Sequence, residues 1–143
     1  MSSPAGQPVR VLILEPDTVA RALLRSTLEL WGYVAEEAGS GDDAVRIARA
    51  TRPRIVLVEL VLPDDEDAFR IVRDIKASAE GRPITIYAVT SLLIAEERER
   101  AYLSGCDLVL MKLVRLLDLQ AYLAAAARPA AHPGAKRKLT SGS

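Results

Sequence analysis

Four side chains of complementary chemistry sit at the ends of short apolar runs. Glu15 follows residues 9–14, Glu59 lies near the end of the run 55–60, Thr90 follows 84–89, and Lys112 follows 108–111. If the four were brought together, the carboxylates could share a cation, or one of them could pair with the ammonium. The hydroxyl and ammonium could also hold the oxygens of an anion. Further acids lie close by: Asp17 two residues after Glu15, and the continuous run Asp64, Asp65, Glu66 and Asp67. Groups so far apart in sequence meet only if their runs are neighbouring strands read at the same end.

The runs at 9–14, 34–38, 55–60, 84–89 and 108–111 are rich in Val and Ile and alternate with longer segments of helical spacing. That pattern specifies a parallel sheet covered by helices. Asp17 is placed to cap a first helix, with Val19, Leu23, Leu24, Leu28 and Trp31 on one side and Gly32 as its left-handed stop. Ser40, with Asp43 three residues on, opens a second helix that buries Ala44, Ile47 and Ala48 and ends before Pro53. Phe69, Ile71, Val72 and Ile75 mark a third, residues 95–104 a fourth stopped by Gly105, and residues 117–127 a fifth. Right-handed crossovers on both sides of the first strand make this an α/β protein with a doubly wound five-stranded parallel sheet. Function is then expected at the carboxyl ends of the strands.

The 143 residues, half of them hydrophobic, suit one folded domain. It is expected over residues 9–127, with flexible ends at 1–8 and 128–143 where Pro, Gly, Ser and Lys replace any core-facing stripe. Residues 1–127 carry fifteen Lys and Arg against nineteen Asp and Glu, a net charge of −4, so nucleic acid is not expected as a partner of the body. The cluster Lys136, Arg137 and Lys138 reads as a solubilising tail. No window approaches the ~20 apolar residues of a membrane helix. A cytoplasmic location is expected, because the single Cys106 has no intramolecular disulfide partner and the opening residues lack a signal-peptide pattern. With one Cys and one His far apart, neither a zinc site nor a Cys–His nucleophile pair can be assembled.

The order and spacing of Glu15, Glu59, Thr90 and Lys112 resemble the receiver domain of two-component response regulators. The likeness runs from residue 9 to about 127. Residues 11–15 resemble the family's first strand and acidic pocket, here Glu15 with Asp17. Residues 53–63 are similar to its third strand, phosphoacceptor position (Glu59) and following proline (Pro63). Residues 83–90 resemble the fourth strand with its switch hydroxyl, Thr90, and residues 105–112 the fifth with its characteristic lysine, Lys112. The resemblance implies a flavodoxin-like (β/α)5 fold with strand order 2-1-3-4-5. It also implies a stand-alone module of phosphorelay-type signal transduction, a protein-binding module and not an enzyme.

Departures from the family pattern bear on the chemistry. The acceptor position is Glu59 instead of Asp, and Pro16 stands where a second acid helps hold magnesium. Proline offers no ligand atom, and a magnesium ion requires near-octahedral oxygen ligation at about 2.1 Å. Magnesium binding is therefore expected to be poor and no cofactor is expected; Glu15 and Glu59 are the only metal candidates. Conventional phosphotransfer is expected to be lost, because the longer Glu59 displaces the nucleophile from its in-line position. Glu59 could instead stand in for a phosphorylated acceptor; the alternative is a working phosphoacceptor using Glu59 or an irregular metal site. Leu113 replaces the proline after the lysine, so a trans bond and a rerouted loop are expected there. Val109 replaces the switch aromatic. Cys106 reads as a packed thiol and the 64–67 acids as a solvated helix start, one member capping. Leu92, Leu93 and Ile94, with Val109, mark an expected partner face on helix four, strand five and helix five, for a signalling partner or a second copy. A flavin or nucleotide site at the same edge is disfavoured, since no Gly-rich loop follows strand one and Glu15 and Asp17 would repel phosphate.

Overall fold

The computed structural model describes residues 7–91, 94–112 and 116–128. Five strands alternate with five helices: β1 (Arg10–Leu14), α1 (Thr18–Leu30), β2 (Val34–Ala38), α2 (Gly41–Thr51), β3 (Ile55–Val58), α3 (Ala68–Lys76), β4 (Thr85–Thr90), α4 (Ala95–Ser104), β5 (Leu108–Met111) and α5 (Leu116–Ala127). All neighbouring strands are parallel, in the order β2-β1-β3-β4-β5. The doubly wound sheet and its strand order are those expected.

Both faces of the sheet are covered, which is why its strands read as nearly unbroken apolar runs. Leu12, Leu14, Val56, Val58 and Ile86 point into one core with Ala44 of α2, Ile71 and Val72 of α3 and Ala101 of α4. Val11, Ile13, Ile55, Leu57 and Tyr87 point into the other with Leu28 of α1 and Leu119 and Leu123 of α5. The Tyr87 hydroxyl donates to the Tyr122 carbonyl at 3.0 Å, tying α5 to the sheet.

The helix starts follow the expected chemistry. Asp17 accepts from the Ala20 N–H at 2.9 Å, Ser40 from Asp43 N–H at 3.2 Å, and Asp67 from Phe69 N–H at 3.0 Å. Gly32 (φ 92°) and Gly105 (φ 126°) supply the left-handed turns after α1 and α4. One helix-face expectation is corrected. Leu28 is buried and Leu24 and Trp31 half-buried, but Val19 and Leu23 are 74% and 69% exposed. At 3.6 residues per turn, Leu23 lies about 140° and Val19 about 180° around the helix from Leu28, too far to share its face.

Candidate functional site

The four chemistry-bearing residues occupy one edge because the ladder continues just past the strand ends. Glu59 N–H donates to Leu14 C=O at 3.0 Å, and Lys112 N–H to Thr90 C=O at 2.8 Å. The backbones of β1 and β3, and of β4 and β5, are thereby zipped together at the very residues that carry the functional groups.

The side chains meet. Lys112 Nζ lies 2.8 Å from Glu15 Oε1 and 2.9 Å from Glu59 Oε1. Glu59 Oε2 accepts from Thr90 Oγ1 at 2.5 Å and from Val61 N–H at 2.9 Å. Glu15 Oε2 accepts from Asp17 N–H at 2.9 Å, while Arg21 donates to the Glu15 carbonyl at 2.8 Å. All four oxygens of the two carboxylates therefore have a donor. Glu15 and Glu59 are 6% and 3% exposed and Thr90 is fully buried, whereas a third of the Lys112 side chain reaches solvent.

Electrostatics follow from this geometry. Burial by itself raises the Glu59 pKa, but the bonds from Thr90, Lys112 and Val61 together outweigh it and hold the carboxyl below its ordinary range. Burial likewise disfavours charge on Lys112, and its hydrogen bonds to Glu15 and Glu59 outweigh that and raise its pKa. Both groups are held ionised, and the ammonium bridges two carboxylates.

Asp17 is in the cluster only through its backbone, because its carboxylate caps α1. The 64–67 run divides its labour. Asp67 caps α3, and Glu66 crosses to accept from Gly41 N–H at the start of α2 at 2.9 Å, a contact the sequence does not announce. Asp64 and Asp65 both adopt left-handed backbone, φ 58° and 57°, in a turn closed by Glu66 N–H to Pro63 C=O at 3.2 Å. Cys106 is buried, and burial pushes its thiol up to about 12.

On the expected partner face, Ile94 is 51% exposed and Val109 half-buried; Leu92, Leu93 and the loop at Leu113 lie outside the described residues. Two residues missed by sequence reasoning hold α4 in place. Tyr102 Oη accepts from Val109 N–H at 3.2 Å, and Arg100 sits 4.3 Å over the Phe69 ring and 3.7 Å from Asp67. An aromatic does reach β5, but from the helix beside it. No helical periodicity could have signalled this, since Tyr102 is 38% exposed. Leu103 of α4, Met111 of β5 and Leu117 of α5 are 81%, 54% and 71% exposed.

Fold and site together define a flavodoxin-like α/β module built around a carboxylate, hydroxyl and lysine cluster at the strand ends. Residues 11–124 match the response regulator receiver domain, and the chain belongs to that family, the signalling modules of two-component systems, which act through protein partners. It is similar to the polar-differentiation response regulator DivK of Brucella anthropi, with 29% identity over 105 residues, 73% of this chain and 85% of that one. Among solved structures, it resembles the signal receiver domain of a modulated diguanylate cyclase from Desulfovibrio desulfuricans. That pair is 30% identical with a TM-score of 0.74, covering 85% of this chain and 94% of that one. The receiver domain of a Pseudomonas aeruginosa sensor histidine kinase, solved with magnesium in its active-site cleft, is 27% identical with a TM-score of 0.77. The match covers 84% of this chain and 98% of that one. Among the described residues, no helix is long and apolar enough to cross a membrane.

Proposed function

We propose that this chain is a pseudo-receiver that binds a protein partner without phosphoryl chemistry. The observation that carries this reading is the double engagement of Glu59, with one oxygen on Lys112 and the other on the Thr90 hydroxyl. The extra methylene of Glu lets its carboxylate reach both groups, so Glu59 occupies the ground that the oxygens of a phosphorylated acceptor would take. The donor set does not suit a magnesium ion. Glu15 and Glu59 spend their oxygens on Lys112, Thr90 and backbone N–H groups, and Pro16 contributes no ligand atom. Lys112 supplies the neutralising positive charge itself.

With the acceptor already engaged and α4 pinned by Tyr102 and Arg100, the α4–β5–α5 face is held in one conformation and recognises its partner constitutively. Incubation with acetyl phosphate and magnesium should leave the intact mass unchanged. An adduct that disappears in Glu59→Gln would overturn the reading in favour of a working acceptor. Pro16→Asp combined with Glu59→Asp, and neither alone, should regain magnesium-dependent modification. Leu92→Asp with Ile94→Asp should abolish partner capture or self-association while leaving the melting curve nearly unchanged.

A further inference from the structure

At the opposite edge of the sheet, before the strands begin, lies a cavity of about 470 Å³. It falls within the usual range for small-molecule sites. Three arginines line it, Arg10, Arg52 and Arg54, against one carboxylate, Glu80. This surplus of positive charge stands out on a body that is acidic as a whole. The arginines are not equivalent. Arg54 is anchored, its guanidinium donating to the carbonyls of Ala127 and Arg128 at 3.1 and 3.3 Å. Arg10 is loosely held, 3.7 Å from Glu36 and half exposed. Arg52 is exposed and forms no ion pair among the described residues.

Arg52 is also the residue whose backbone is strained. It caps α2 in the left-handed region, φ 49° and ψ 62°, ahead of Pro53. Glycine is the unstrained residue at such a helix end, and an arginine there presents its guanidinium at the cavity wall at the expense of local stability. Pro8, Pro53 and Pro83, with Val9 and Ile84, give the wall apolar surface for a ring beside the polar Gln7 and Thr51.

We propose that this cavity binds a small organic phosphate of nucleotide size, its phosphate on Arg52 and Arg10 and its ring against the prolines. Guanidinium forks match phosphate oxygens, and an open recess of this volume matches one nucleotide better than a stretch of duplex. The site is independent of the Glu59 cluster.

The test is calorimetry on the full chain with ADP as probe and with pyrophosphate and adenosine as its halves. ADP should bind saturably at one site and each half at least tenfold more weakly. Arg52→Gly should weaken ADP at least tenfold while keeping or raising the melting temperature, and Arg10→Ala should weaken it several-fold. Glu59→Gln should leave ADP binding unchanged. The proposal is overturned if ADP shows no saturable binding, if Arg52→Gly binds it like the wild type, or if adenosine alone binds as well as ADP. It is also overturned if a DNA duplex binds more tightly than ADP with steep salt dependence, which would make the edge a nucleic-acid surface.

Discussion

The two ends of the sheet handle charge in opposite ways. At the carboxyl end, two buried carboxylates, a hydroxyl and an ammonium satisfy one another, and each carboxylate takes one further bond from a backbone N–H. At the amino end, arginines outnumber acids around an open cavity, and one of them occupies a strained backbone. The closed end is costly to disturb because a change there can leave a buried carboxylate without its donors. The open end tolerates disturbance because solvent takes up whatever is released. Burial, more than the number of charges, separates a structural cluster from a receptive one.

The largest expected effect breaks the closed end. Lys112→Met leaves Glu15 and Glu59 facing each other without a counter-charge, and a loss of about 3 kcal/mol is expected in urea denaturation. Glu59→Gln keeps the shape and removes one charge, for a loss of about 1 to 2 kcal/mol. The double variant should cost clearly less than the sum of the two. Additive losses in that cycle would show that the side chains are not coupled and would remove the physical basis of the phosphomimic reading.

A pH series sharpens the same contrast. The Glu59 pKa is lowered on folding, so its contribution is present above the ordinary carboxylate value of 4.5 and is lost as pH falls through its folded value. The Lys112 pKa is raised, so its contribution is complete below 10.5 and is lost as pH rises through its folded value. Melting temperature should therefore be flat across neutral pH and fall on both flanks, and Glu59→Gln should flatten the acid flank. An acid flank of unchanged steepness in that variant would place the titrating group elsewhere.

Smaller effects are expected at the periphery. Tyr102→Phe removes the acceptor of the Val109 N–H beside a half-exposed strand, for a loss of about 0.5 to 1 kcal/mol. Unchanged stability would mean that water replaces the hydroxyl without cost. At the open end the sign reverses. Arg52→Gly relieves a left-handed L-residue and should gain a few tenths to about 1 kcal/mol. A loss there would show that the Arg52 side chain supports the fold.

Much of this molecule was legible in its residues. A parallel sheet buried on both faces makes uninterrupted Val and Ile runs, and caps such as Asp17 and Ser40 act over two or three residues, so both can be read locally. The edge holding Glu15, Glu59, Thr90 and Lys112 was legible too, because parallel strands joined by right-handed crossovers must end on the same side. The buried face of α1 is narrower than its apolar residues suggest, since Val19 and Leu23 lie far around the helix from Leu28 and stay exposed. Other contacts required the folded chain: Glu66 on the start of α2, Tyr102 on the edge of β5, and Lys112 placed between two carboxylates instead of beside one. Residue types settle which groups can pair. Which oxygen receives which proton is decided by side-chain reach across strands and helices distant in sequence, and that geometry exists only after the core has set their spacing.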